Sequence, residues 1–235
     1  MRRVLLKLSG QTFCGPQGSG IEGERALGLA REIADGLARR DLELACVVGG
    51  GNFLRGEKMV GQGIDRVTAD NMGMLATIMN ALALQSALEG LGVPTRVLSA
   101  IHVNEVAEPF IQRRAVRHLE KGRVVILAAG TGQPYFTTDT TAALRALQVG
   151  AKLFLKGTRV AGVYSGDPED PKAGKLQFFR HLEFREILER NLKFMDATAA
   201  TLCLQHGLPV RVFNAMEAGN VRKALLGEEL GTLVE

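Results

Sequence analysis

The sequence predicts an α/β fold: a three-layer α/β/α sandwich with a mostly parallel central sheet. Three observations carry this. Apolar runs of strand length alternate with longer stretches of helical periodicity, and such a βαβα rhythm produces parallel strands with helices on both faces. The 28 glycines fall between the apolar runs, where tight strand-to-helix turns are needed. No break in composition marks a linker, so the 235 residues read as one domain (1–235) with two lobes, roughly 1–150 and 151–235.

The elements follow in order. "RVLLKL" (3–8) is a buried strand. "GERALGLAREIADGLARR" (23–40) sets Leu27, Ala30, Ile33 and Leu37 at helical spacing. "LELACVV" (42–48) is a strand stopped by three glycines. Residues 68–92 form a long helix, capped by Thr68 or Asp70 and ended at glycine. Being apolar on most sides, it should be centrally buried. A strand at 95–100, a helix with one wet face at 111–122 and a strand at 123–129 come next. A helix at 140–150 and a strand at 151–157 lead into "TRVAGVYSGDPEDPKAGK" (158–175), too long and turn-prone for a connector without purpose. "LQFFRHLEF" is a short strand, and "REILERN" and "DATAATLCLQHG" are helices. A strand at 209–214, a helix at "NVRKALLG" and the terminal strand "TLVE" complete the chain.

Composition narrows the function. Hydrophobic residues make up 46% and charged residues 23% of the chain, enough for a real core and against disorder. The net charge of +4 and pI of about 9.1 suit an anionic small substrate, and equally ordinary solubility. Tryptophan is absent and tyrosines number two, which argues against a nucleic-acid stacking surface. No apolar run approaches the ~18 residues of a membrane span. Lys7 interrupts the N-terminal apolar run too early for a signal peptide. Cys14, Cys46 and Cys203 are isolated, without metal-ligand or disulfide spacing, and a reducing cytoplasm is the simple expectation.

Ligands of such sheets bind outside the carboxyl ends of the strands. There the sequence places "LSG", "GGGN", "AGTGQPYFTT" and "KGTRV". Lys7 sits inside an apolar strand, where a lysine is costly unless paired; either it reaches water at the strand end or it is aimed at phosphate, with Ser9 and Gly10 adding amide donors. Three glycines at 49–51 allow a backbone to approach an anion closely. Leu54 breaks the G-x-G-x-x-G pattern, and the P-loop pattern is absent. Arg55 is close enough in sequence to join the same anion site. Asp70 is either a helix cap or a ligand. In the loop 129–139, amides and threonine hydroxyls make a neutral, donor-rich cradle for a phosphate and a base edge. Asp139, at its exit, caps the next helix or orients Lys7 or Mg²⁺.

"KLSG" (7–10), "GGGNFLRG" (49–56), "DNMGMLATIMNALAL" (70–84), "AGTGQPYFTTD" (129–139) and "GVYSGDP" (162–168) together resemble the bacterial uridylate kinases of the amino acid kinase superfamily. The resemblance runs over the whole chain in order. It implies the amino acid kinase (carbamate kinase-like) fold and transfer of the γ-phosphoryl group of ATP to UMP, with Mg²⁺, in a cytoplasmic homohexamer inhibited by UTP and in many members activated by GTP. It implies that Lys7, Leu8, Ser9, Gly10, Gly51, Arg55, Thr158, Tyr164 and Asp167 serve ATP. Gly50, Asp70 and the loop Thr131, Gly132, Gln133, Pro134, Tyr135, Phe136, Thr137 and Thr138 hold UMP. Lys7 and Arg55 carry the chemistry, with Asp139 and Asp196 as candidates to orient Lys7 or the metal, and no dedicated metal ligand is assigned. Gln133, Arg159 and Ala161 depart from the family's usual Asn, Lys and Asp. The rivals are a kinase acting on a carboxylate or carbamate, a non-catalytic nucleotide- or oxoanion-binding protein, and a nucleic-acid-binding regulator.

Overall fold

The computed structural model describes residues 2–38, 41–54, 63–171, 174–190, 192 and 194–235. In chain order the strands are β1 (Arg2–Leu8), β2 (Leu42–Val48), β3 (Thr95–Ser99), β4 (Glu108–Pro109), β5 (Val124–Ala128), β6 (Leu153–Thr158), β7 (Val163–Tyr164), β8 (Phe178–Phe179), β9 (His181–Leu182), β10 (Val210–Asn214) and β11 (Thr232–Val234). The helices are α1 (Gly23–Leu37), α2 (Arg66–Gly90), α3 (Gln112–Glu120), α4 (Thr138–Val149), α5 (Phe184–Glu189), α6 (Ala197–Gln205) and α7 (Asn220–Leu226).

Nine strands form one sheet in the order β4-β3-β5-β2-β1-β6-β10-β11-β9. Its pairings are parallel except β10 with β11. The strands β7 and β8 pair separately and antiparallel. The central strands are covered on both faces, which is why they read as near-continuous apolar runs. Val4, Leu6 and Leu8 of β1 pack on one face with α1, α2 and α7. Leu5 and, from β6, Phe154 pack on the other, under α3, α4, α5 and α6. Because side chains alternate along a strand, Lys7 and Lys156 belong to that second face, beneath α4.

Several expectations change. The cap of α2 is Asp65, whose carboxylate accepts from the Thr68 amide (3.0 Å) and hydroxyl (2.6 Å). Neither Thr68 nor Asp70 caps it: the helix starts earlier because Asp65 satisfies its first amides. Nor is α2 buried all round. Ala69, Met74, Ile78, Ala81, Leu84 and Leu88 are buried, whereas Leu75 and Met79, one turn apart and pointing off the sheet, are 50% and 44% exposed. The helix α4 begins at Thr138, capped by Thr137, so the end of the threonine loop is helical and Asp139 is not the cap. The two-residue β4 escaped the sequence reading, since two residues carry no periodicity. So did the 3₁₀ turn Gly10–Phe13, capped by Ser9.

Candidate functional site

The glycines after β2 come first, since they set the floor of the site. The Asn52 and Asn80 side-chain amides bond each other in both directions (2.9 and 2.7 Å), and Asn80 also donates to the Gly49 carbonyl (2.7 Å). This fully buried amide pair fixes the 49–52 turn to α2. A Cβ on Gly50 would meet the Gly73 carbonyl at 2.7 Å, and one on Gly10 would meet the Gly51 amide nitrogen at 2.7 Å. These two glycines let three backbone segments close on one another.

Two cavities open at the carboxyl ends of the strands. The first, about 300 Å³, lies between the 49–51 turn, α2 and the threonine loop. Gly50, Asp70, Thr131, Gln133 and Phe136 line it, with Thr137 and Thr138 at the start of α4. Gly51, expected on the ATP side, also lines this cavity. Gly132, Pro134 and Tyr135 of the same loop are outside its lining. The second cavity, about 450 Å³, is lined by Thr158, Tyr164 and Asp167, together with Leu192 and Phe194. Residues 158–169, the first part of the long segment, thus serve as a wall. The edge-on contact of Tyr164 with Phe178 (5.2 Å) stiffens it, as do the Asp167 turn to the Glu169 amide (2.8 Å) and the Arg159–Glu169 ion pair (2.6 Å).

The loop over the first cavity is held under backbone strain. Ala129 (φ 59°) and Tyr135 (φ 71°) are non-glycine residues in the left-handed region, a conformation that persists only where surroundings enforce it. The Ala129 amide donates to the buried Thr77 hydroxyl (2.8 Å) and the Tyr135 amide to the Asp70 carboxylate (2.8 Å). Arg66 Nε reaches both Asp70 oxygens (3.0 and 2.9 Å). Asp70, in the second turn of α2, therefore ties the loop down while facing the cavity. Arg145 is buried beneath the loop, stacked 3.8 Å from the Phe110 ring centre and donating to the Gly130 carbonyl (3.1 Å). Burial lowers its pKa to about 10.

Beneath α4, at the ends of β1 and β6, stands a cluster of charge. Asp139 Oδ1 is 3.0 Å from Lys7 Nζ, an ion pair set off the angle of a hydrogen bond, and Oδ2 accepts from Lys156 Nζ. Burial pushes the Asp139 carboxyl up, but the two ammonium groups outweigh it and hold its pKa at about 2. Burial pulls the Lys156 ammonium down, against the opposing pull of Asp139. Asp139 adjoins Thr138 of the first cavity, and Lys156 is two residues before Thr158 of the second. Lys156 was not singled out from the sequence, although "LFLKG" repeats the pattern of "VLLKLSG", an apolar strand with lysine near its end.

The remaining expected residues are placed as follows. The Leu8 side chain is in the core, and its carbonyl accepts from the Gly49 amide (2.9 Å). The Ser9 hydroxyl accepts from the Gln11 amide (3.3 Å). Asp196 caps α6, accepting from the Thr137 and Thr140 hydroxyls and the Ala199 amide, and its charge acts to raise the Lys156 pKa. Arg55 lies outside the described residues.

Known proteins resemble this chain over its whole length. A uridylate kinase of Methylococcus capsulatus is 51% identical over 99% of this chain and 96% of its own length. One of Deinococcus radiodurans is 52% identical over 100% of the chain and 95% of its own. The crystal structure of a UMP kinase from Bacillus anthracis superposes with a TM-score of 0.92 at 38% identity, covering 100% of this chain and 96% of that one. That of a uridylate kinase from Archaeoglobus fulgidus gives 0.75 at 29%, covering 100% of both. Residues 2–214 match the model of the amino acid kinase family. With the parallel sheet, the glycine turns at its carboxyl edge and full-length likeness to solved members all in agreement, the chain belongs to the amino acid kinase family.

Proposed function

We propose that the chain is a UMP kinase, transferring the γ-phosphoryl group of ATP to UMP to give UDP and ADP. The observation that carries this is the cluster of Lys7, Asp139 and Lys156, in which Asp139 follows Thr138 of the cavity walled by the threonine loop and Lys156 precedes by two residues Thr158 of the cavity walled by 158–169. The full-length relatives named uridylate kinase supply the substrate. UMP occupies the first cavity and ATP the second. The lobe of residues 1–150 serves the acceptor and that of 151–235 the donor.

The chemistry asks for positioning and charge rather than proton transfer. The acceptor oxygen of UMP is already anionic, so no general base is needed. Two polyanions must be brought together, and the Lys7 ammonium, Arg55 and the glycine-turn amides offset that repulsion. No group of three or more His, Cys, Asp or Glu side chains gathers to hold a metal among the described residues. Mg²⁺ would enter on the ATP phosphates, in keeping with its preference for phosphate and water ligands. Asp139 holds Lys7, and Asp196 acts on the threonines that begin α4.

The same reading places the enzyme in the cytoplasm, on the path to pyrimidine nucleotides, with UTP as inhibitor and GTP as activator. It assembles as a homohexamer, for which the exposed Leu75 and Met79 of α2 supply an apolar face. No helix among the described residues is long and apolar enough to cross a membrane. A coupled assay of ADP release with UMP, CMP, aspartate and glutamate tests the substrate. ADP release dependent on UMP supports the reading. Release with aspartate or glutamate instead, or with no acceptor, removes it.

A further inference from the structure

The last paired residue of β5 is Ala128, and the chain leaves the sheet at Ala129. Ala129 is fully buried and takes the left-handed φ of 59°, as does Gly130 after it. A buried amide that has left the strand ladder needs another partner. The Ala129 amide finds it in the Thr77 hydroxyl of α2 (2.8 Å), and that hydroxyl gives its own proton to the Met74 carbonyl (2.7 Å). Three residues further along α2, Asn80 donates to the Gly49 carbonyl (2.7 Å). Residues three apart share one face of a helix. One face of α2 therefore holds the root of the threonine loop through Thr77 and the root of the glycine turn through Asn80.

We infer that Thr77 is a positioning residue for the acceptor nucleotide: its hydroxyl holds the Ala129–Gly130 step, and through that step sets where Thr131 and Gln133 meet the uracil edge. This rests on the UMP kinase reading above. Thr77 lines the first cavity, but its single proton is already given to Met74, so it has none to offer a ligand and acts through the loop. A left-handed alanine persists only where its surroundings enforce it. At Ala129 they are the Thr77 hydroxyl on its amide and the Gly132 amide on its carbonyl (3.0 Å). The Gly132 bond is internal to the loop and cannot fix the loop in space; the Thr77 bond ties it to α2, the helix that carries Asp70. Thr131 and Gln133 follow two and four residues later and line the same cavity. The Gln133 amide donates to the Thr131 hydroxyl (3.2 Å), so these two move together when the root of the loop moves. The lining of the second cavity shares no residue with this loop among the described residues. Loss of the Thr77 hydroxyl should therefore fall on one substrate and spare the other.

Thr77→Val and Thr77→Ser test this, measured as kcat, as KM for UMP and for ATP, and as thermal stability. Valine keeps the shape and removes the hydroxyl; serine keeps the hydroxyl and removes a methyl group. The expected result for Thr77→Val is a KM for UMP raised on the order of 10-fold, the scale of leaving one buried donor unpaired, with KM for ATP changed less than about twofold. Thr77→Ser should stay within about threefold of the parent in both. The reverse order, valine like the parent and serine worse, overturns the inference and leaves Thr77 a packing residue. An equal rise of both KM values in Thr77→Val overturns it too, as general loosening of the fold. Either result, with the parent still making UDP, leaves the kinase reading standing. A parent that makes no UDP fails that reading, and the inference with it. If Thr77→Val fails to fold, Thr77→Val is combined with Ala129→Gly, since glycine takes the left-handed φ at least cost. A KM for UMP at least threefold above that of Ala129→Gly alone supports the inference, and equal values overturn it.

Discussion

Asp196 and Thr137 each cap a helix, and they hold each other. The Thr137 hydroxyl accepts from the Asp139 and Thr140 amides (both 3.1 Å), closing the start of α4. It donates to Asp196 (2.6 Å), whose other oxygen takes the Thr140 hydroxyl (2.7 Å) and the Ala199 amide (3.0 Å) at the start of α6. Residues 59 positions apart in sequence thus fix the turn that carries Asp139.

Asp196→Ala should remove the α6 cap and loosen α4 together. Loss of a cap costs about 1 kcal/mol, which lowers Tm by roughly 2–4 °C in a chain of this size. KM for UMP should rise as well, because Thr137 and Thr138 line its cavity. Differential scanning calorimetry with steady-state kinetics checks both. An unchanged Tm would mean that the two helices do not depend on this carboxylate.

Asp70→Asn should raise KM for UMP and leave KM for ATP nearly unchanged, since Asp70 faces the first cavity and restrains Tyr135. A site that bonds a hydroxyl penalises the analogue lacking it, by up to ~10⁴-fold, so dUMP should be much poorer than UMP. CMP should be poorer still, with a donor where uracil has an acceptor. Equal weakening of ATP and UMP by the variant would reduce Asp70 to a structural tie.

Much of the site was legible because its backbone logic is local. Apolar strands ending in glycine, and threonines grouped with an aspartate, announce strand ends that meet ligands. What escaped depended on tertiary pairing. Lys156 matters because β6 lies beside β1 in one particular register, and nothing in "LFLKG" says which strand is its neighbour. The bond between Asp196 and Thr137 joins distant segments in the same way. Asp70 read as a possible cap because the helix start was placed at Thr68, after the Asp65 that caps it. The exposed side of α2 also carries the large apolar residues Leu75 and Met79, so apolar composition alone could not tell it from the buried side.

Acid should attack the charge cluster. The Asp139 pKa is held at about 2, below its ordinary 3.8, so the native state binds this proton less readily than the unfolded chain. Its contribution is fully present above about pH 4 and is lost as pH falls from there toward 2. Denaturant midpoints measured between pH 5 and 2 should fall more steeply for the parent than for Asp139→Asn. Parallel curves would show that the carboxylate is not linked to folding in this range.

The apolar side of α2 predicts association. Leu75 and Met79 at 50% and 44% exposure are large apolar side chains one helical turn apart, and Leu75→Glu with Met79→Lys should shift the protein toward the 25.3 kDa single chain. Light scattering at micromolar concentration checks this. A parent protein that is already a single chain would refute it.

A UMP kinase moves the phosphoryl group from ATP to UMP directly, without an intermediate hydrolysis. Incubation with Mg²⁺, UMP and ATP labelled at the γ-phosphorus, followed by separation of the nucleotides, tests it most directly. The label should appear in the β-phosphate of UDP in step with ADP formation, and fall sharply in Lys7→Met. Label found only in inorganic phosphate, or remaining in ATP when UMP is saturating, would contradict it.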